Sequence, residues 1–109
     1  MVTQMYETQL PLMGEKEKIK QVLINVISVM GEHFRMGQLI DDFIKRADEQ
    51  NLFIKEEDTI YSKIKLDNKG TLLINKLIWE LIWEKELIIN LINNDYMFDS
   101  RQFNLIKNK

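Results

Sequence analysis

The residue types that could catalyse a reaction or bind a metal are one histidine and two clusters of neighbouring carboxylates. His33 is the only histidine, and no second metal-ligand type stands at a characteristic spacing from it. Asp41 and Asp42 are consecutive in a predicted helix, where neighbouring side chains point about 100° apart rather than at one substrate. The acidic residues at 56–58 are better placed to cap the segment that follows them. We therefore expect no catalytic residue and no metal site.

The sequence also lacks the motifs of common enzyme classes. There is no cysteine, which excludes cysteine nucleophiles, disulfides and thiolate metal sites. No glycine-rich phosphate loop, nucleotide fingerprint or serine–histidine–aspartate set is apparent. We expect a non-enzymatic protein with no cofactor and no small-molecule substrate.

The most informative feature is a pair of tryptophans, Trp79 and Trp83, which stand four residues apart in a helix predicted over 71–90. At about 100° per residue, they project from the side opposite the aliphatic stripe of that helix. One interpretation buries them under the N-terminal segment or the first helix. The other makes them a protein interface, since two indoles at this spacing form one contiguous surface. Leu72 and Lys76 border the pair and belong to the predicted interface.

Basic residues are concentrated around the start of the same helix. The chain has a net charge of −2, from 15 basic and 17 acidic residues, but acids predominate between 32 and 58 and lysines between 59 and 76. A local basic patch permits contact with nucleic acid without requiring it. The nucleic-acid contacts predicted under this alternative are Lys63, Lys65, Lys69, Thr71, Asn75, Lys76, Arg101 and Lys107.

Composition predicts one domain over residues 1–109. The hydrophobic fraction of 45% and the charged fraction of 29% are ordinary for a globular domain. Residues 1–13 carry no Lys or Arg and no continuous apolar block, unlike a secretory signal. No apolar stretch approaches the roughly 20 residues that a spanning helix needs, so we expect no membrane contact. The absence of cysteine fits a cytoplasmic location.

Apolar spacing predicts a mainly α fold. The predicted elements are an irregular lead-in over 1–13 and principal helices over 15–30, 36–50 and 71–90. Asn51 is expected to end the second helix. Residues 59–66 fit either a strand or two helical turns that begin near Asp58. Further on, the apolar residues at 91–92, 96–98, 103 and 105–106 predict two short strands across a polar turn, with a C-terminal helix from Ser100 as the alternative.

When residues 59–66 are taken as helical, the order from Asp58 onward is a short helix, a polar turn, a long helix, an apolar exit and a possible hairpin. The residues that define this order are Ile60, Ile64, Leu66 and Ile74, the turn over 67–70 and the exit over 84–88. The order resembles the helix-turn-helix and wing of winged-helix proteins, and the resemblance implies a recognition helix that contacts DNA. Two features depart from that pattern. Tyr61 and Lys65 replace a small residue and a glycine, and Glu80, Glu84 and Glu86 would oppose phosphate.

The leading hypothesis is a small helical domain, with at most a short β-hairpin, that acts as a regulatory or inhibitory module. It would bind another protein, or itself as a homodimer, through Trp79, Trp83, Leu72 and Lys76. The alternative hypothesis is a DNA-binding transcriptional regulator with a winged-helix-like arrangement.

Overall fold

The computed structural model describes residues 3–5, 8–57, 59–90 and 104–107, and contains three helices and several short strands there. The helices are α1 (Lys16–Val29), α2 (Met36–Glu49) and α3 (Asn68–Trp83). The strands are β1 (Thr3–Met5), β2 (Thr8–Leu10), β3 (His33–Arg35), β4 (Thr59–Tyr61), β5 (Ile64–Leu66), β6 (Leu87–Asn90) and β7 (Asn104–Lys107). The three predicted helices are present, but the strands make the fold mixed α/β rather than mainly α.

Helices α1 and α2 begin and end within one residue of the ranges that apolar spacing predicts. Their apolar faces are buried in one core, in which the buried residues are Ile19, Val22, Leu23 and Val26 of α1 and Met36, Leu39, Phe43 and Ala47 of α2. Asp41 and Asp42 remain exposed on the outer side of α2. Both helices are therefore amphipathic surface helices, as their spacing indicates.

Asn51 ends α2, in agreement with the sequence prediction, by adopting the left-handed backbone conformation with φ of 57°. The N–H of Asn51 donates to the carbonyl of Asp48 at 3.1 Å, and the N–H of Leu52 donates to the carbonyl of Ala47 at 2.9 Å. These two bonds satisfy carbonyls of the last helical turn. Asparagine adopts left-handed backbone more readily than most residues, which explains its place here. The buried Leu52 then returns the chain to the core.

The N-terminal lead-in is not irregular throughout, because parts of it form strands. β1 pairs with β4, and β2 pairs with β5, both in parallel orientation. Leu10 and Leu66 are opposite each other in the second pair and both are buried. The alternative of two helical turns over 59–66 is therefore wrong, since β4 and β5 occupy that range. The N-cap predicted at Asp58 lies outside the described residues.

Helix α3 begins at Asn68, earlier than predicted, because Asp67 acts as its N-cap. The carboxylate of Asp67 accepts a hydrogen bond from the N–H of Gly70 at 2.7 Å. A β-carbon at Gly70 would lie 3.1 Å from that carboxylate oxygen, so glycine permits this close approach. The residues predicted to form a polar turn, 67–70, therefore form the N-cap and the first turn of the helix.

Helix α3 ends at Trp83, and the prediction that it continues to residue 90 is wrong. Lys85 adopts left-handed backbone with φ of 65°. The N–H groups of Lys85 and Glu86 donate to the carbonyls of Ile82 at 3.0 Å and Leu81 at 2.9 Å, which caps the helix. The chain then continues as β6. Because the apolar residues of β6 fit both helical spacing and a buried strand, periodicity could not locate this end.

Strands β3, β7 and β6 form an antiparallel sheet in that order. Phe34, Leu87 and Leu105, one from each strand, are buried. One face of the sheet therefore covers the core that the helices build.

The C-terminal predictions are tested only in part. The strands predicted over 91–92 and 96–98 lie outside the described residues. The alternative of a C-terminal helix from Ser100 does not hold for β7, which pairs with β6 in antiparallel register.

Helix α3 contributes some of the most deeply buried side chains of the core, including Ile74, Leu77 and Ile78. It packs against β5 and β6, and its remaining buried apolar residue is Leu81.

Within the part of the chain that the structure describes, no helix has the length and apolar character needed to span a membrane.

Candidate functional site

One side of α3 carries large apolar side chains that the core does not cover. Leu72 is 70% exposed, Trp79 52% and Trp83 88%. Together with the exposed Lys76, they fall within an arc of about 60° when residues are placed about 100° apart around the helix. The buried residues of α3 are centred about 180° away from that arc. We call Leu72, Lys76, Trp79 and Trp83 the tryptophan face.

Both tryptophans lie on the protein surface, and the interpretation that buries them within the monomer is wrong. Trp83 stands at the end of α3, and Trp79 stands one turn earlier. With Lys76, Glu80 and Glu84, they line an open groove of about 360 Å³. Small-molecule sites enclose most of their ligand, whereas this groove is open along the helix. Its shape suits an extended macromolecular surface, since the tryptophan face is about 16 Å long at about 1.5 Å per residue.

Two lysines of α1 form ion pairs with carboxylates beside the tryptophan face. Lys16 Nζ lies 2.8 Å from Glu80 Oε1, and Lys20 Nζ lies 3.2 Å from Glu84 Oε1 and 3.8 Å from Glu80 Oε2. The hydrogen bond from Lys16 lowers the pKa of Glu80, and the positive charges of Lys16, Lys20 and Lys76 lower it further. Desolvation of the carboxylate acts in the opposite direction and offsets part of this effect. The hydrogen bond to Glu84 raises the pKa of Lys20, again against desolvation.

These ion pairs change the charge that α3 presents. From the sequence, Glu80 and Glu84 are acids of a helix surface that would oppose phosphate. In the fold, each has a lysine partner from α1. The hydrogen-bonded partners are 64 residues apart in the sequence, so helical spacing could not reveal the pairing. Lys16 and Lys20 are therefore residues of the site that the sequence analysis missed.

Most of the residues predicted to contact nucleic acid lie in or before the first part of α3. The exposed ones are Lys63, Lys69, Thr71 and Lys76, while Lys65 and Asn75 are half-buried. Arg101 lies outside the described residues. Lys63, Lys65 and Lys69 thus lie toward the N-terminal end of α3. Lys76 lies further along α3 and also belongs to the tryptophan face.

Lys107 has a different environment from the other predicted contacts. Its ammonium group donates to the carbonyls of Ser28, at 3.4 Å, and Met30 at the end of α1. A cation near a helix C-terminus is favourable because it satisfies carbonyls and opposes the helix dipole. Lys107 also lines a groove of about 480 Å³ with Glu84 and Glu86, at the C-terminal end of α3. It therefore does not extend the patch near Lys69.

The remaining candidate chemistry is dispersed over the surface. His33 is exposed in β3, and Asp41 and Asp42 are exposed on α2. No group of three or more His, Cys, Asp or Glu side chains that could hold a metal ion occurs within the described ranges.

Comparisons with known proteins add no family to these observations. The chain matches no protein family, no curated protein and no solved structure.

The pairing of α1 with α3 can be tested by titrating Glu80. We expect Lys16→Gln to raise the pKa of Glu80 toward its ordinary value, because the substitution removes the hydrogen bond that lowers it. A depressed carboxyl pKa stabilises the fold above the unfolded pKa, and this contribution is lost as the pH falls through the folded pKa of Glu80. NMR of the side-chain carboxyl carbon as a function of pH measures the shift.

Lys45→Gln is the matched control, since Lys45 is an exposed lysine of α2. It should leave the titration of Glu80 unchanged. Identical Glu80 titrations in the wild type and in Lys16→Gln would contradict the pairing.

Proposed function

We propose that this chain is a small non-enzymatic regulatory or inhibitory module that binds protein, including a second copy of itself, through the tryptophan face. The observation that supports this proposal is the exposure of Trp79 and Trp83 on a helix whose opposite side is already packed in the core. Tryptophan is enriched among the residues that dominate binding energy at protein interfaces. A surface helix with one apolar side normally turns that side inward, so a second apolar side is typical of a binding surface.

The exposed area is large enough to matter for binding. A tryptophan side chain contributes about 150–250 Å². At about 25 cal/mol per Å², covering the exposed 52% of Trp79 and 88% of Trp83 is worth roughly 5–9 kcal/mol. Association itself costs about 4–15 kcal/mol. The tryptophan pair can therefore anchor an interface, but stable binding also needs apolar area and matching charge on the partner.

The surroundings of the pair favour a protein partner. The tryptophan face carries one cation, Lys76, and is bordered by Glu80 and Glu84. Both carboxylates already have lysine partners from α1, so covering them leaves no isolated buried charge. Apolar anchors within a rim of satisfied polar groups are the usual anatomy of protein interfaces.

The core also holds the tryptophan face in place before a partner arrives. Ile74, Leu77 and Ile78 are buried on the opposite side of α3, and Asp67 caps its start. A preformed helix loses less conformational entropy on binding than a segment that must fold first.

The proposal is tested by replacing Trp83 with serine. Because Trp83 is 88% exposed, Trp83→Ser should change the free energy of unfolding by no more than about 0.5 kcal/mol. It should weaken association by about 30-fold or more, as hot-spot substitutions cost about 2 kcal/mol or more. The measurements are light scattering of the purified protein, for self-association, and affinity capture from cell extract, for other protein partners.

Val29→Ser is the matched control, because Val29 is a 72% exposed apolar residue at the end of α1. It should retain whatever association the wild type shows. If Trp83→Ser stays folded and matches the wild type in both measurements, the tryptophan face is not an interface.

The second candidate function is a DNA-binding regulator with a winged-helix-like arrangement. In such proteins a long recognition helix leaves into a β-hairpin, and here α3 is followed by β6, which pairs with β7. The ion pairs of Glu80 and Glu84 with α1 also reduce the repulsion that these acids would exert on phosphate. One departure opposes this candidate, since strands rather than a short helix precede the start of α3.

DNA binding predicts a strongly salt-dependent interaction with duplex DNA through Lys69 and Lys76. Lys69→Gln and Lys76→Gln should each weaken retention at low salt and reduce the slope of log affinity against log salt by about 0.9. Lys45→Gln, on α2, should leave both quantities unchanged. A gel-shift experiment at low salt that shows no retention of any duplex would remove this candidate.

A further inference from the structure

A second groove, of about 480 Å³, lies between α1 and the end of α3. Its walls include Glu17, Ile24 and Ile27 of α1, Glu84 at the end of α3, and Glu86 and Leu87 beyond it, and we call it the acidic groove. Of the residues that the structure describes, Glu84 alone also borders the groove beside the tryptophan face. We propose that the acidic groove binds an extended segment of another protein in which arginine side chains alternate with apolar ones.

The acidic groove exists because α3 ends while α1 continues. The two ion pairs between these helices join residues that advance by four positions in each helix, so α1 and α3 run in the same direction. Helix α3 ends at Trp83, level with Lys20, whereas α1 continues to Val29, about 13 Å further at about 1.5 Å per residue. The space beside the second half of α1 is therefore bordered by Leu87 and Lys107 instead of by a helix.

The face of α1 that lines the acidic groove suits an extended chain. Its lining residues run from Glu17 to Ser28, which is about 16 Å along the helix, and fall within an arc of about 120°. Ile24 is 36% exposed and Ile27 is half-buried, so the two side chains offer an apolar strip to a bound segment. An extended chain covers this length with about five residues, at about 3.3 Å per residue.

The charges of the acidic groove favour a cationic partner. Three acids line it, Glu17, Glu84 and Glu86, against two lysines, Lys20 and Lys107. Both lysines are already engaged, because Lys20 Nζ lies 3.2 Å from Glu84 Oε1 and Lys107 donates to carbonyls at the end of α1. Within the described ranges, neither Glu17 nor Glu86 forms an ion pair. The two carboxylates are therefore available to a positively charged side chain.

The helix ends beside the acidic groove add to its negative potential. Neither α1 nor α3 has a basic residue in its last turn. The C-terminal end of a helix carries a partial negative charge, so the acids Glu84 and Glu86 are unfavourable there for α3 itself. A bound cation would oppose both carboxylates and the helix end. Arginine fits best, because its planar guanidinium can donate two parallel hydrogen bonds to one carboxylate.

Peptide binding tests this inference. The probes are a short peptide that alternates leucine and arginine, and a matched peptide that alternates leucine and glutamate. In amide NMR spectra the arginine peptide should shift the signals of Ile24, Ile27 and Leu87, and the glutamate peptide should not. Glu86→Gln and Glu17→Gln should each weaken binding of the arginine peptide several-fold, because each removes one carboxylate, and added salt should weaken it further.

Two controls separate binding from folding. Asp41→Asn removes an exposed acid of α2 that does not line the acidic groove, and it should bind the arginine peptide as the wild type does. The thermal midpoint of Glu86→Gln should be equal to that of the wild type or slightly higher, since the substitution removes an acid from the end of α3.

The outcomes also separate this inference from the proposed function, since Trp83 does not line the acidic groove. Trp83→Ser should bind the arginine peptide as the wild type does, whatever its effect on other protein binding. Absence of shifts at millimolar peptide, equal binding of the two peptides, or shifts confined to the tryptophan face would overturn the inference. Wild-type affinity in both Glu86→Gln and Glu17→Gln would overturn it as well.

Discussion

The rotation of α3 about its own axis is the constraint on which the surface of this protein depends. Burial of Ile74, Leu77 and Ile78 fixes which side of the helix faces the core. Because successive residues differ by about 100°, the side centred about 180° away must then face solvent, and it carries Trp79 and Trp83. The tryptophan face is thus a consequence of core packing. Placing the tryptophans in the core would require rotating α3 about its axis, and that rotation would expose aliphatic side chains that are now buried.

A second constraint comes from α1, which lies beside the C-terminal half of α3. Lys16 and Lys20 pair with Glu80 and Glu84 across the two helices. Exposed ion pairs of this kind contribute little to stability individually. Their effect on the surface is larger, since they balance the negative charge next to Trp83. This balance makes the groove easier to cover with another protein and also less repulsive to phosphate. The ion pairs therefore do not distinguish protein binding from DNA binding, and that distinction depends on the tryptophans and on the positions of the other lysines.

Local patterns in the sequence predict the parts of this fold that depend on local physics. The ranges of α1 and α2, the end of α2 at Asn51 and the projection of Trp79 and Trp83 opposite the aliphatic stripe all follow from helical spacing and turn preferences. Helical spacing left open whether another element covers the two tryptophans, and the structure leaves them exposed. The elements that local patterns did not predict depend on partners that are distant in the sequence. β1 and β2 become strands by pairing with β4 and β5. The continuation of α3 past Trp83 is a wrong prediction because Leu87 and its apolar neighbours fit a helix as well as the strand that β7 stabilises.

The candidate site also combines residues that local sequence predicts with residues that only the fold brings together. The tryptophan face is a property of one helix, so projection of that helix identifies it, including Leu72 and Lys76. The ion pairs from Lys16 and Lys20 join residues 64 positions apart and have no local signal. The engagement of Lys107 with the end of α1 likewise depends on where β7 lies. A lysine that the sequence places among the nucleic-acid contacts therefore caps the end of a helix in the fold.

The surface proposed for α3 requires that Trp79 and Trp83 lie outside the core of the folded monomer. The most direct measurement is their fluorescence emission and quenching by iodide, at a dilution at which light scattering gives the monomer mass. We expect emission typical of indole in water, ready quenching in the folded protein, and only a small further change on unfolding. Blue-shifted emission protected from iodide in the folded monomer, and lost on unfolding, would place the tryptophans in the core and contradict this requirement.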